Sequence, residues 1–275
     1  SKDECVKAIT TEYLYADSFD ATLPPSQIKQ ELLQRMHTVF TDHNATADKG
    51  AKWQLPSTLF ESQIADILLR LYPICRIACA GANADTEYDL LAIYQSEGPD
   101  EGIYVTKETV FNKLIRNFNY NITQKGIQEV LATLRDTSER KLRCTEQDLI
   151  AVNNGIFNYQ TKQLEPFDPH YVFIAKSRVN YNPAAKNITI HNPDDNTDWD
   201  VESWMNDLSD NPEITELLWQ IMGAIIRPHV HWNKSAWFFS TKGNNGKGTL
   251  CELMRNICGK ESYASIPLSD FGKDF

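Results

Sequence analysis

An apolar run leads into a glycine loop late in the sequence, as Trp237-Phe238-Phe239-Ser240-Thr241-Lys242-Gly243-Asn244-Asn245-Gly246-Lys247-Gly248-Thr249. Such a loop can turn consecutive backbone N–H groups toward one point at a helix N-terminus, where the helix dipole favours an anion. Gly243 and Gly246 supply the backbone freedom that this requires, and the lysine that follows can reach the outer phosphates of a nucleotide. The sequence therefore predicts a phosphate-binding loop.

The flanking residues fit that prediction. Residues 236–240 lack polar alternation, which predicts a strand covered on both faces. After the loop, a helix is predicted by the helical spacing of Leu250, Leu253, Met254 and Ile257 before Gly259. Strand, glycine loop and helix follow one another in the order that a phosphate-binding loop requires.

The bare pattern fits only in part. In the usual G-x-x-x-x-G-K-[ST] template, Gly246 and Lys247 match, but Thr241 stands at the first glycine and Gly248 at the Ser/Thr position. An ordinary Gly/Asn turn between a strand and a helix is the alternative, because Asn-Gly steps favour turns in any protein.

The region from about Asn211 to Phe275 resembles the start of the motor domain of superfamily 3 helicases, in the phage and plasmid primase–helicase branch. That branch also includes poxvirus primase–helicases and self-loading helicases of mobile elements. Its loop is commonly written G-x-N-G-K-[GS]-[ST], which residues 243–249 fit. Upstream, residues 152–158, 164–169 and 181–183 resemble the end of the domain that precedes the motor.

The pattern and the resemblance together imply an α+β, multi-domain chain. We expect a helical N-terminal segment over residues 1–50, a mixed α/β domain over 55–200, and the start of a P-loop AAA+ α/β domain over 208–275. The resemblance implies ATP and Mg²⁺ as cofactors, single-stranded or forked DNA as a partner, and a homo-oligomeric ring in the complete protein. It also implies a primase or other replication partner, and action in the bacterial or host cytoplasm.

The predicted phosphate contacts lie in one run of residues. Lys247 is the predicted catalytic residue, in contact with the β and γ phosphates. Thr249 is the candidate magnesium ligand, because Gly248 has no hydroxyl to offer. The whole ATP-binding set is Gly243, Asn244, Asn245, Gly246, Lys247, Gly248 and Thr249.

Two further parts of such a motor are not found in the sequence. A nucleoside triphosphatase of this type needs an acidic strand that holds Mg²⁺ and an arginine from a neighbouring subunit. No apolar run ending in Asp-Glu follows Lys247. We therefore expect this chain to be part of a longer protein and to hydrolyse ATP poorly by itself.

The net charge of −10 argues against a protein covered with nucleic-acid-binding surface, but the charge is uneven. Between residues 107 and 145 there are eight basic residues and four acidic ones. This segment is the candidate contact for a DNA backbone, and two solvated amphipathic helices are the alternative. The basic residues are Lys107, Lys113, Arg116, Lys125, Arg135, Arg140, Lys141 and Arg143.

Other features of the sequence bear on membrane spans, disulfides and metal sites. The sequence contains no run of about 18 apolar residues and therefore predicts no membrane span. The six cysteines show no C-x-x-C spacing, which favours reduced thiols. His229-Val230-His231 can present two imidazoles on one face, but no third ligand stands nearby, so a structural role competes with metal binding.

The remaining pattern predicts these elements: helices from residue 25 or 26, over 58–71, around 110–118, after a Thr123 cap and from Pro212; strands over 88–95, 103–105, 149–152, 155–158 and 171–179; and polar connectors over 41–52 and 187–200.

Three functions are open. They are the front part of a ring-forming DNA helicase, a non-enzymatic DNA- or partner-binding module with a vestigial loop, and an unrelated P-loop phosphotransferase. The third is disfavoured because over two hundred residues precede the loop.

Overall fold

The computed structural model describes residues 1–79, 85–259 and 262–272. The chain forms two compact units, one of residues 1–100 with 104–143 and the other of residues 101–103 with 144–275. The predicted domain limits near residues 50 and 200 differ from the limits of these compact units, and the division into three domains stays a prediction. Within the predicted domains, residues 80–84, 260–261 and 273–275 lie outside the described part of the chain.

The first unit opens with two helices, α1 (Lys2–Leu14) and α2 (Pro25–Thr46). The predicted start of α2 is confirmed, and its buried side chains are Ile28, Leu32, Met36 and Phe40. Val39, predicted on the same face, is exposed. The helix continues to Thr46, so the linker predicted from residue 41 begins too early.

Contacts with the segment that follows explain the longer helix. The Asn44 side chain both donates to Trp53 O and accepts from Trp53 N, each at 2.7 Å, and the His43 ring stacks on the Trp53 indole with centroids 3.7 Å apart. Because His43 and Asn44 have defined partners, one side of the last turns of α2 is packed, while residues 41, 42, 45 and 46 are exposed.

A four-stranded sheet and three helices complete the first unit. Helix α3 (Glu61–Leu71) precedes β1 (Ile74–Ile77), β2 (Leu90–Tyr94) and β3 (Tyr104–Val105), and β4 (Glu139–Lys141) closes the sheet in the order β3-β2-β1-β4. The predicted hairpin is confirmed, since β2 and β3 pair antiparallel. The short strand β4, which pairs parallel with β1, was not predicted.

Two amphipathic helices, α4 (Glu108–Phe118) and α5 (Gln124–Thr137), lie between β3 and β4, as predicted. The Thr123 hydroxyl accepts from Gly126 N at 3.1 Å, which confirms the predicted cap. Helices α1 to α5 all contribute to one hydrophobic core, which includes Leu14, Ile28, Leu68, Phe111 and Val130.

The second unit begins with an antiparallel meander of β5 (Leu149–Val152), β6 (Gly155–Asn158) and β7 (Gln163–Glu165). The predicted strands at 149–152 and 155–158 are confirmed. The strand predicted over residues 171–179 is wrong, because this segment makes only isolated backbone bonds, such as Ser177 N to Ala151 O at 2.9 Å. A small hairpin, β8 (Ile190–Asn192) with β9 (Thr197–Trp199), interrupts the connector predicted over 187–200.

Three helices follow in the second unit: α6 (Val201–Asp207), α7 (Pro212–Ile225) and α8 (Lys247–Cys258). The Asn211 side chain caps α7 by accepting from Glu213 N at 3.0 Å. These helices bury Met205, Leu218, Met222 and Leu250 together. The predicted apolar stripe of α7 is only partly buried, since Ile214 and Leu217 are exposed.

The strand predicted over residues 236–240 is wrong. The segment has no regular structure, and Trp237 and Phe239 are 78% and 86% exposed, whereas Phe238 packs against the core of the second unit. A strand needs a neighbour to take its backbone hydrogen bonds. Among the described residues, strands β5 to β9 pair only with one another, so residues 236–240 have no ladder to join.

No helix in the described part of the chain is both long and apolar enough to cross a membrane.

Candidate functional site

The glycine loop ends where α8 begins, as the sequence predicted. Gly246 is the N-cap of α8 and has a left-handed backbone with φ of 78°. Its carbonyl accepts the first helical bond, from Leu250 N at 2.9 Å. A left-handed residue at this point lets the chain reverse sharply into the helix, and glycine adopts that conformation without a steric penalty.

Side chains within the loop hold its shape. The Lys247 ammonium donates to Asn245 Oδ1 at 2.6 Å, and Asn245 Nδ2 donates to Lys242 O at 3.1 Å. Ser240 Oγ accepts from Lys242 N at 3.3 Å. Asn244 also has a left-handed backbone, with φ of 52°, a conformation that asparagine tolerates better than most residues. The lysine side chain is therefore directed back over the loop, beside the first turn of α8.

The first turn of α8 offers N–H groups to an external acceptor. By position, the N–H groups of Lys247, Gly248 and Thr249 have no acceptor within their own helix. No other described segment takes them, and no side chain caps the helix. Gly243 and Gly248 have open space around their Cα atoms, so a ligand can approach the backbone there. Free donors, a positive helix end and a lysine together suit a phosphate.

The structure thus brings the whole predicted ATP-binding set into one loop and one helical turn. No metal cluster of three or more His, Cys, Asp or Glu side chains occurs among residues 1–79, 85–259 and 262–272. Thr249 as a magnesium ligand stays a prediction. The second expected feature, a buried strand that leads into the loop, is absent as described above.

The two histidines considered for a metal are part of an irregular segment. Burial lowers the pKa of His229, because the charged imidazolium loses its hydration. Its Nε2 atom is buried without a hydrogen-bond partner, and its ring lies 6.3 Å from the Phe173 ring. The buried Nε2 atom and the packing beside Phe173 favour the structural role.

The predicted basic residues fall into two groups in the first unit. The exposed group lies on α4 and α5 or immediately before them, and consists of Lys107, Lys113, Arg116, Lys125 and Arg135. The half-buried group lies on β4 or after it, and consists of Arg140, Lys141 and Arg143.

The residues of the half-buried group differ in how they contact the protein. Arg140 makes a bidentate pair with Asp89, at 2.7 and 3.1 Å. Lys141 Nζ lies 3.8 Å from a Glu139 carboxylate oxygen, and Arg143 Nε is buried without a hydrogen-bond partner. Arg140 in particular holds two segments of the first unit together, so it is less available to a nucleic acid than the exposed group.

One exposed residue beside the basic group was missed from the sequence. Tyr120, in the turn between α4 and α5, is 80% exposed. Its carbonyl accepts from Arg116 Nη1 at 2.9 Å. The surrounding basic residues were the only sequence signal for Tyr120, because the sequence does not indicate how exposed a tyrosine in a turn is.

Two upstream motifs that are separate in sequence meet in the second unit. Asn154 donates to Tyr181 O at 3.0 Å and accepts from Tyr181 N at 2.9 Å, while Asn153 donates to the Asn180 side chain at 2.8 Å. The ring of Tyr181 packs against Phe157 with centroids 4.3 Å apart. The turn between β5 and β6 therefore fixes the backbone of the later motif.

No curated protein matches the chain. A family model described as D5 N terminal like matches residues 50–223, which is more than half of the chain and ends before the glycine loop. The chain therefore belongs to this family, the N-terminal domain of D5-type primase–helicases of phages and viruses, which is associated with replication.

Proposed function

We propose that this chain is part of an ATP-dependent DNA helicase of superfamily 3, of the primase–helicase type, which acts in the replication of a phage, plasmid or mobile element. The observation that carries the proposal is the junction at Gly246 and Lys247, where a left-handed glycine opens a helix whose first N–H groups are free. Family membership supplies the replication context.

In this proposal the loop binds the phosphates of MgATP. The N–H groups of residues 244–249 surround the phosphates, and Lys247 exchanges its 2.6 Å contact with Asn245 for the β and γ oxygens. The exchange is favourable because an ammonium gains more from a phosphate than from a neutral amide oxygen. The Thr249 hydroxyl, or a water in its place, completes the coordination of Mg²⁺.

The complete protein acts as a homo-oligomeric ring on single-stranded or forked DNA, with a primase or another replication partner, in the bacterial or host cytoplasm. The transition state for hydrolysis needs a metal-holding acid and a partner arginine in addition to this loop. An arginine of that kind contributes roughly 10³ to 10⁵ in rate.

One alternative has an observation in its favour. Residues 236–240 do not form a buried strand beneath the loop, and Gly248 lacks the usual hydroxyl. A non-catalytic module that binds DNA or a replication partner, with a vestigial loop, fits those two features.

Substitution of Lys247 separates the two functions. We expect Lys247→Ala to lower steady-state ATP hydrolysis by the complete protein by about 100-fold or more, because a charge-stabilising donor is lost. Lys242→Ala is the matched control, since Lys242 is an exposed lysine of the same loop outside the predicted phosphate contacts. Circular dichroism should show both variants folded.

The outcomes are distinct. Turnover that survives in Lys247→Ala contradicts the role of this lysine. A wild-type protein that binds DNA but neither binds nor hydrolyses ATP supports the non-catalytic module. Equal losses in Lys242→Ala and Lys247→Ala indicate that the loop contributes only general positive charge.

A further inference from the structure

The turn between α4 and α5 differs in charge from the rest of the protein. Between Glu108 and Glu129 the sequence contains Lys113, Arg116 and Lys125 and no acidic residue, although the whole chain carries a net charge of −10. All three basic side chains are exposed. The local excess of positive charge attracts an anionic partner, although the Glu61 carboxylate lies beside Gly126 and the Glu129 carboxylate beside Lys125.

Tyr120 gives this basic surface an aromatic platform. Its side chain is 80% exposed, and no described ring or cation lies over it. A base of single-stranded DNA can stack on an uncovered tyrosine ring, whereas the bases of a duplex are already stacked on one another. The combination of a free ring and flanking cations is the arrangement that single-stranded nucleic acids bind.

Arg116 fixes the platform while it keeps donors for an anion. Its Nη1 atom donates to Tyr120 O at 2.9 Å and to Ile122 O at 3.4 Å, which holds the turn in place. A guanidinium has five N–H donors, and among the described residues none accepts from Nε or Nη2 of Arg116. The same side chain can thus order the turn and bind a phosphate next to the stacked base.

The two lysines extend the charge on either side. Lys113 lies one turn before Arg116 on the same helix face. Lys125 is highly exposed, and its nearest carboxylate, that of Glu129, lies 3.7 Å away. An exposed pair at this distance is weak, so the ammonium can exchange its partner for a phosphate.

We propose that the α4–α5 corner, defined by Lys113, Arg116, Tyr120 and Lys125, binds single-stranded DNA through a base stacked on Tyr120 and phosphates held by the three cations. This inference rests on the proposed function only in that both concern a protein acting on DNA. It does not require the glycine loop to bind ATP.

Fluorescence anisotropy of a labelled oligothymidine tests the proposal on the whole 275-residue chain without nucleotide. We expect Tyr120→Ala to weaken binding about 5- to 150-fold, the range for one stacked base, and Tyr120→Phe to bind as the wild type does. We expect Lys113→Gln to reduce the slope of log affinity against log salt by about 0.7, the value for one single-strand phosphate contact.

Tyr88→Ala is the matched control, because Tyr88 is 69% exposed in the same unit but lies among acidic neighbours such as Glu87 and Asp89. It should leave binding unchanged. A duplex of the same length should be insensitive to Tyr120→Ala.

Several results overturn the proposal: no binding by the wild type, equal effects of Tyr88→Ala and Tyr120→Ala, or a Tyr120 dependence seen only with a protein partner. If Tyr120→Ala is neutral while Lys247→Ala abolishes hydrolysis by the complete protein, only the DNA surface is wrong. If Tyr120 is required while the loop never binds ATP, only the proposed function is wrong.

Discussion

At the candidate site, Gly246 has the backbone conformation that most requires a glycine. Its φ of 78° lies in the left-handed region, and an added Cβ would lie 2.4 Å from Leu208 Cδ2. The leucine methyl can move, so the backbone term dominates. We expect Gly246→Ala to destabilise the second unit by roughly 1–2 kcal/mol and to weaken ATP binding, because the loop would no longer enter α8 at the same angle.

Urea unfolding followed by tryptophan fluorescence measures this effect, since all tryptophans except Trp53 belong to the second unit. Gly243→Ala is the matched control, because open space surrounds Gly243 and its φ is not positive. Equal stability of the Gly246→Ala variant and the wild type would contradict the left-handed cap.

At the scale of residues, the sequence predicted which residues form the candidate site better than it predicted the burial and the partners of individual side chains. The helical spacing of Leu250, Leu253 and Ile257 after the glycine loop correctly predicted a helix there. The sequence did not indicate that Arg140 is engaged by Asp89 or that Tyr120 is uncovered. Both depend on what the rest of the chain places nearby, which no local pattern records.

The pair of Asp89 and Arg140 acts at the scale of elements. Asp89 stands just before β2 and its side chain is only 1% exposed, while Arg140 belongs to β4, on the other side of β1. The hydrogen bonds and charge of Arg140 lower the pKa of the Asp89 carboxyl. We infer that this pair fixes the short edge strand β4 to the sheet.

A lowered carboxyl pKa sets the direction of the pH dependence. The stabilisation is fully present above the unfolded carboxyl pKa of about 4 and is lost as pH falls through the lower folded-state pKa. We expect Asp89→Asn to be clearly less stable than the wild type at pH 7, and the difference to shrink steadily below about pH 4. Urea unfolding of both proteins between pH 7 and pH 3 measures it.

Glu129→Gln is the control for that series, because its pair with Lys125 is exposed and should contribute little at any pH. A difference between Asp89→Asn and the wild type that stays constant down to pH 3 would mean that the carboxylate charge is not what stabilises β4.

Helices were predicted more reliably than strands for a physical reason. The apolar spacing of α2, α4, α5 and α7 is repeated over several turns, and caps such as Thr123 and Asn211 mark their starts. A strand forms only if a neighbour pairs with it. The apolar run at residues 236–240 has no described partner strand, whereas the charged residues of β4 pair with β1.

At the scale of the whole molecule, the family match and the compact units cover different ranges of residues. The match covers residues 50–223, whereas the first unit begins at residue 1. Helices α1 and α2 lie outside the match, yet they supply Val6, Leu14, Leu32 and Phe40 to the same core as α3 and α4. The helical segment is therefore a structural part of the first unit and not an appendage.

A buried hydrogen bond ties α1 to α3 inside that core, and a second one within α1 completes the bonding of the same hydroxyl. Gln63 Nε2 donates to Thr10 Oγ1 at 2.8 Å, and Thr10 Oγ1 donates to Val6 O at 2.7 Å. Both side chains are buried. Loss of α1 would leave the Gln63 amide without that partner, which costs free energy in addition to the exposed apolar surface.

Removal of residues 1–49 tests whether the family limits define a stable protein. We expect the 50–275 chain to expose the apolar faces of α3 and α4, to bind the dye ANS strongly, and to lose the cooperative thermal transition of its first unit, whereas the second unit should keep its tryptophan-detected unfolding. Single substitutions in the whole chain measure how much α2 contributes to the core. Leu32→Ala, at a fully buried position, should lower the free energy of unfolding by roughly 2–5 kcal/mol. Val39→Ala, on the exposed side of α2, should lower it by less than about 0.5 kcal/mol. An unchanged melting midpoint after the deletion would show that α3, α4 and α5 form a sufficient core by themselves.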